Sequence, residues 1–181
     1  SQEKFEKALY HYMESIRIKK SLKNNEFNLA LTYNNVGRAY LKRKYYYSAS
    51  YFADLAYKIN VQINDSDKIG DYYLFTGNIS YEKGTYLNAE KLHKTALSIF
   101  EKNKNIQRTL HCKMGLAKDY IGLKKNELAH NLLIDVVDVA TSLKTKGFLM
   151  EAYLNLSNIN YNVKEYKQAL SYYKLYSQTK D

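Results

Sequence analysis

Alanines at positions 8, 49, 89, 129 and 169 stand 41, 40, 40 and 40 residues apart. A register held this closely along a whole chain means that one unit recurs. Each copy must stack on its neighbours in the same way to bury a common apolar face. An aromatic residue precedes most of these alanines by three positions (Phe5, Tyr46, Tyr86, Tyr166), and Asn126 is the departure. A second signature runs ahead of the last four alanines. It reads Tyr33…Gly37…Tyr40, then Tyr73…Gly77…Ser80-Tyr81, then Lys113…Ala117…Tyr120, then Tyr153…Ser157…Asn160-Tyr161. The small residue in its middle is where two backbones can approach closely.

Apolar residues recur at three- and four-residue spacing over 29–41, 69–81, 109–121 and 149–161, which is the period of an amphipathic helix. The chain has no proline, so nothing interrupts helix interiors. Short polar joints separate the apolar stretches: "LKRK" (41–44), "EKGT" (82–85), "GLKKN" (122–126) and "NVKE" (162–165) within units, and "KNNE" (23–26), "NDSD" (64–67), "KNKN" (102–105) and "KTKG" (144–147) between them. Asp67 and Asn105 read as helix N-caps. The sequence therefore predicts an all-α chain of antiparallel helix pairs with nine helices. A lone B helix over 5–22 comes first, then A/B pairs over 27–63, 67–103, 106–143 and 147–179, as a single array over 1–181.

These alanines, aromatics and small residues resemble the tetratricopeptide repeat (TPR) family over essentially the whole chain. The family period is about 34 and this one is 40. The longer form is similar to the variant seen in kinesin light chains and in bacterial regulators, and the family's closing proline is missing. The resemblance implies a right-handed α-solenoid that binds protein or peptide and carries no enzyme activity. "YKQALSYYKLYSQTKD" (166–181) resembles the last repeat in the sensor regions of bacterial regulators with a histidine-kinase or helix-turn-helix output. That likeness implies the sensing or interaction region of a signalling protein, with the compartment open between cytoplasmic and extracytoplasmic. Because "FEKALYHY" (5–12) reads as a B helix without its A helix, the chain is expected to be cut from a longer protein.

Composition narrows the chemistry. With 45% apolar and 25% charged residues the chain has enough material for a folded core. Cys112 is the single cysteine, which removes disulfide frameworks and cysteine-rich metal sites. His11, His93, His111 and His130 are scattered, with none at metal-ligand spacing from another. Gly70, Gly77 and Gly84 lack the Lys-Ser/Thr ending of a phosphate loop. Asp135 and Asp138 share a helix face, and their expected place is the solvated convex side. No catalytic residue, cofactor or metal is expected. No apolar run approaches the roughly 18 residues that cross a bilayer. The net charge is +10, of which residues 1–60 carry +6 (11 Lys and Arg against 5 Asp and Glu). The lysines are dispersed, which argues for a solvated basic surface over nucleic-acid binding.

In TPR arrays the A helices line a concave groove. Carried over by position, that gives a polar ladder of Arg38, Asn78, Lys118 and Asn158. One turn earlier lie Asn34, Leu74, Met114 and Leu154, and one turn later Leu41, Tyr81, Ile121 and Tyr161. Asparagine both donates and accepts, so it suits a peptide backbone. Arg38 and Lys118 suit carboxylates on an acidic peptide or protein segment. The alternative is a structural role, with self-association through the terminal helices or service as a free-standing adaptor.

Overall fold

The computed structural model describes residues 2–22 and 25–180. Among them are nine helices and no strand: α1 (Gln2–Ser21), α2 (Glu26–Lys42), α3 (Tyr46–Gln62), α4 (Ser66–Glu82), α5 (Tyr86–Lys102), α6 (Ile106–Gly122), α7 (Asn126–Ser142), α8 (Lys146–Asn162) and α9 (Tyr166–Lys180). Each packs on the next in the chain. The even-numbered A helices also touch one another directly, α4 on α6 and α6 on α8, while successive B helices make no comparable contact. The A side is therefore the tighter, inner side of the stack.

One device joins the helices throughout. From α2 onward the joints close in three residues, fewer than the four or five that the polar stretches suggest, because the helices run on until a left-handed residue stops them. At the first such joint, Lys44 has φ 60°, Lys44 N–H donates to the Leu41 carbonyl at 2.8 Å, and Tyr45 N–H donates to the Tyr40 carbonyl at 3.0 Å. This is the Schellman arrangement. It recurs with Asn64, Gly84, Lys104, Lys124, Lys144 and Lys164 in the left-handed place. Gly84 adopts that conformation without steric cost. The five lysines tolerate it and set a cation at the negative end of a helix dipole. The joint expected over 23–26 lies partly outside the described residues.

At two joints the last residue caps the following helix with its side chain. Asp65 caps α4 by accepting from Lys68 N–H at 3.0 Å, and Asn105 caps α6 by accepting from Arg108 N–H at 3.2 Å. Asp67, expected as the α4 cap, instead sits two residues past the cap, within the first turn of the helix. Its carboxylate accepts from the amides of Asn103 at 2.7 Å and Asn105 at 3.0 Å, tying one inter-repeat joint to the next.

Ala49, Ala89, Ala129 and Ala169 are buried between A and B helices, whereas Ala8 on the end helix is only partly covered. The largest apolar cluster gathers Leu110, Met114, Leu133, Val136, Leu156 and Ile159 from α6, α7 and α8. Ser157 donates to the Ala169 carbonyl at 2.9 Å, which fastens α9 to α8. Tyr46 packs into the core cluster around Ala49 and Phe75, while Tyr45 and Tyr47 on either side are exposed.

Candidate functional site

The inner face opens into a cavity of about 650 Å³ between α2, α4 and α6. α2 and its following joint supply Arg38, Leu41, Lys42 and Lys44. α4 supplies Phe75, Asn78, Tyr81 and Glu82, and α6 supplies Gly115 and Lys118. A smaller cavity of about 190 Å³ adjoins it, sharing Arg38, Phe75, Asn78, Gly115 and Lys118 and adding Leu74, Met114, Arg108, His111 and Glu151. Of the residues anticipated from the repeat, Arg38, Leu41, Leu74, Asn78, Tyr81, Met114 and Lys118 line this paired cavity. Five lie elsewhere. Asn34 is half-buried beside neither cavity, and Ile121 packs against the core cluster around Leu133. Leu154, Asn158 and Tyr161 stand exposed on α8, beyond the cavity walls.

The larger cavity's charge is one-sided, with Arg38, Lys42, Lys44 and Lys118 against Glu82 alone. Lys118 pairs with Glu151 of α8, and Arg38 lies 5.6 Å from the Phe75 ring centroid in a cation–π contact. Among the described residues, Arg38, Lys42 and Lys44 have no carboxylate partner. Arg108 is held by Asp71 at 3.1 Å. Burial, with Arg108 adding to it, lowers the His111 imidazole's affinity for a proton below its ordinary value.

The floor holds the feature that position-by-position reasoning overlooked. His93 of α5 and Asp119 of α6 are both 0% exposed, with Nδ1 and Oδ2 2.5 Å apart. The other ring nitrogen, Nε2, stands 3.2 Å from Asn78 Oδ1. Two glycines make room for the ring. A Cβ on Gly77 would sit 2.5 Å from His93 Cδ2, and one on Gly115 would sit 2.9 Å from Cε1. Asp119 Oδ1 has no hydrogen-bond partner among the described residues. Burial pushes the Asp119 carboxyl above its ordinary value, opposed by its hydrogen bond with His93. The columns of the repeat carry a signal for this cluster. Where His93 stands the other B helices have Tyr12, Ala53, Leu133 and Tyr173, and where Asp119 stands the other A helices have Ala39, Ile79 and Ile159.

Asp135 and Asp138 are exposed, and Asp135 pairs with Lys113 at 3.5 Å. Among the described residues no three His, Cys, Asp or Glu side chains are grouped to hold a metal, and no helix is long and apolar enough to cross a membrane.

No family model matches the sequence, and no curated protein matches it. Solved structures match it in shape. The apo form of RapI superposes with a TM-score of 0.86 at 17% identity, over 98% of this chain and 65% of that one. A signal transduction ATPase with numerous domains from Pyrococcus horikoshii, carrying a tetratricopeptide repeat sensor, gives 0.80 at 16% identity, over 96% of this chain and 28% of that one. The chain has the TPR-like helical repeat fold. A Rap protein complexed with Competence and Sporulation Factor gives 0.77 at 19% identity, over 93% of this chain and 46% of that one. The TPR-like array thus spans less than two thirds of the length of each of these three proteins, and at these identities the likeness is one of fold.

Proposed function

We propose that this TPR-like array is a non-enzymatic scaffold that binds an extended, acidic peptide or protein segment on its inner face, centred on Arg38, Asn78 and Lys118. The observation that carries the reading is the cavity of about 650 Å³ with four cations and one carboxylate on its walls. Clustered cations facing an open cavity with a single carboxylate among them favour an anionic guest, because a ligand carboxylate accepts charge-assisted hydrogen bonds and offsets their mutual repulsion. Asn78 offers the donor and acceptor that a peptide backbone needs. Leu41, Phe75 and Tyr81 supply apolar walls for ligand side chains. The Rap protein in complex with Competence and Sporulation Factor lends support from the same fold, and the repeat sensor of the Pyrococcus ATPase supports a place within a larger signalling protein.

The test is fluorescence anisotropy with a labelled pool of short peptides rich in Glu and Asp. The double variant Arg38→Glu with Lys118→Glu is expected to weaken binding at least about tenfold, and added salt to weaken wild-type binding in the same direction. The Lys118–Glu151 pair is solvent-accessible on both sides, so its loss costs little stability. Affinity unchanged by the double variant would remove the groove assignment.

A second reading is self-association, and α9 favours it. Tyr166, Leu170 and Tyr173 are each more than half exposed on this end helix.

A further inference from the structure

We infer that His93 and Asp119 are positioning residues that set, by the number of protons they share, which end of the Asn78 amide faces the groove. The inference rests on the groove reading given above for the use made of Asn78, but the proton relay itself is a property of the three side chains.

The geometry permits two states. In the first, the His93–Asp119 pair holds two protons. One lies in the 2.5 Å contact between Nδ1 and Oδ2. On whichever side of that contact it sits, the other occupies Nε2 and is donated to Asn78 Oδ1, 3.2 Å away. The Asn78 NH2 then points into the groove and offers donors. In the second state the pair holds one proton. The ionised Asp119 carboxylate keeps it on Nδ1, so Nε2 becomes an acceptor. Asn78 must turn its amide to donate to Nε2, and Oδ1 then points into the groove. A hydrogen-bond donor at the groove floor becomes an acceptor when one proton leaves.

The surroundings make this a two-state element. The ring has little room to move, because Gly77 and Gly115 both pack closely against its Cδ2, Nε2 and Cε1 atoms. Neither His93 nor Asp119 is open to water that might replace the lost bond. The charged and titratable groups bearing on the pair are Tyr81 from α4, Glu90 from α5 and Lys118 from α6, with Arg38 of α2 across the cavity. Burial raises the Asp119 carboxyl, in the direction that retains the second proton. For two ionisable groups in direct contact, the number of protons they hold together, and not the assignment to one residue, is the meaningful variable. At low pH the groove presents a donor to a ligand carbonyl or carboxylate. At high pH it presents an acceptor, which an acidic segment meets unfavourably.

The test is nuclear magnetic resonance of the isotopically labelled chain without ligand, between about pH 5 and 8. The expected result is that the His93 ring nitrogens and the Asn78 side-chain amide move together with one midpoint. In Asp119→Asn, which keeps the shape of the side chain, that shared movement is lost. An Asn78 amide that stays still while His93 titrates, or a His93 ring that does not change across the range, overturns the inference. The acidic peptide pool then reads the consequence. Affinity falls on the order of tenfold across the shared midpoint in wild type and not in Asp119→Asn. If the pool does not bind at all while the shared titration is present, the groove reading fails and the relay stands. If the pool binds without the shared titration, the relay fails alone.

Discussion

At the scale of single residues, the glycines packed against the His93 ring are the sharpest test of the packing. Gly115→Ala adds a methyl 2.9 Å from a ring that is hydrogen-bonded at both nitrogens. Alanine gains up to about 1 kcal/mol in helix propensity over glycine, but overpacking a closed site costs about 1–3 kcal/mol. The clash therefore wins, and urea denaturation should show Gly115→Ala destabilised by roughly 1–2 kcal/mol. A stabilised variant would mean that the ring can move, which would also weaken the argument for a two-state amide. The same residues mark where sequence reading stops. Arg38, Asn78 and Lys118 were legible because the repeat places them at one helical position. His93 and Asp119 were not, because each is singular in its column and the meaning of each comes from the other, 26 residues away in the chain. Two departures from an apolar column that face one another constitute a signal, but only once the packing partners are known.

At the scale of helices and joints, Glu90 ties α5 to the joint between α6 and α7. It accepts from Lys94 on its own helix, α5, at 2.6 Å and from Lys125, in the joint between α6 and α7, at 2.9 Å. The hydrogen bond from Lys94, above all, and that from Lys125 hold its carboxyl below the ordinary value, against the opposing effect of burial. A depressed folded value means stability that is present above the unfolded carboxyl range and lost as pH falls through the folded value. Glu90→Gln should therefore lower stability by about 1 kcal/mol near neutral pH, and the difference from wild type should shrink in acid. A difference independent of pH, in denaturation series at several pH values, would count against the tie. Helix number and type were plain from the apolar period and the absence of proline. The ends were less plain. The polar joints look longer in the sequence than they are, because Arg43, Lys83 and Leu123 continue the helix until the left-handed residue that follows each. A lysine in that conformation leaves no mark in the sequence, whereas Gly84 does.

At the scale of the whole molecule, burial is unequal along the array. Seven residues of α6 are buried, against Ile16 alone in α1 and Ala169 alone in α9. The exposed apolar side chains of α9 are what the self-association reading rests on, and light scattering over a concentration series decides it. Under that reading the apparent mass climbs above 21.2 kDa with concentration, and Leu170→Glu with Tyr173→Glu returns it to that value. A mass constant at 21.2 kDa removes the reading. The uniformity of the joints has a different consequence. Helices α2 to α8 are all 17 residues long and all the joints from α2 onward span three, so every forty residues advance the stack by the same step. The inner face is in that sense a ruler. Its graduations are repeats, and adding or deleting one whole unit would change how long a segment it can grip while leaving every remaining rung at its original spacing.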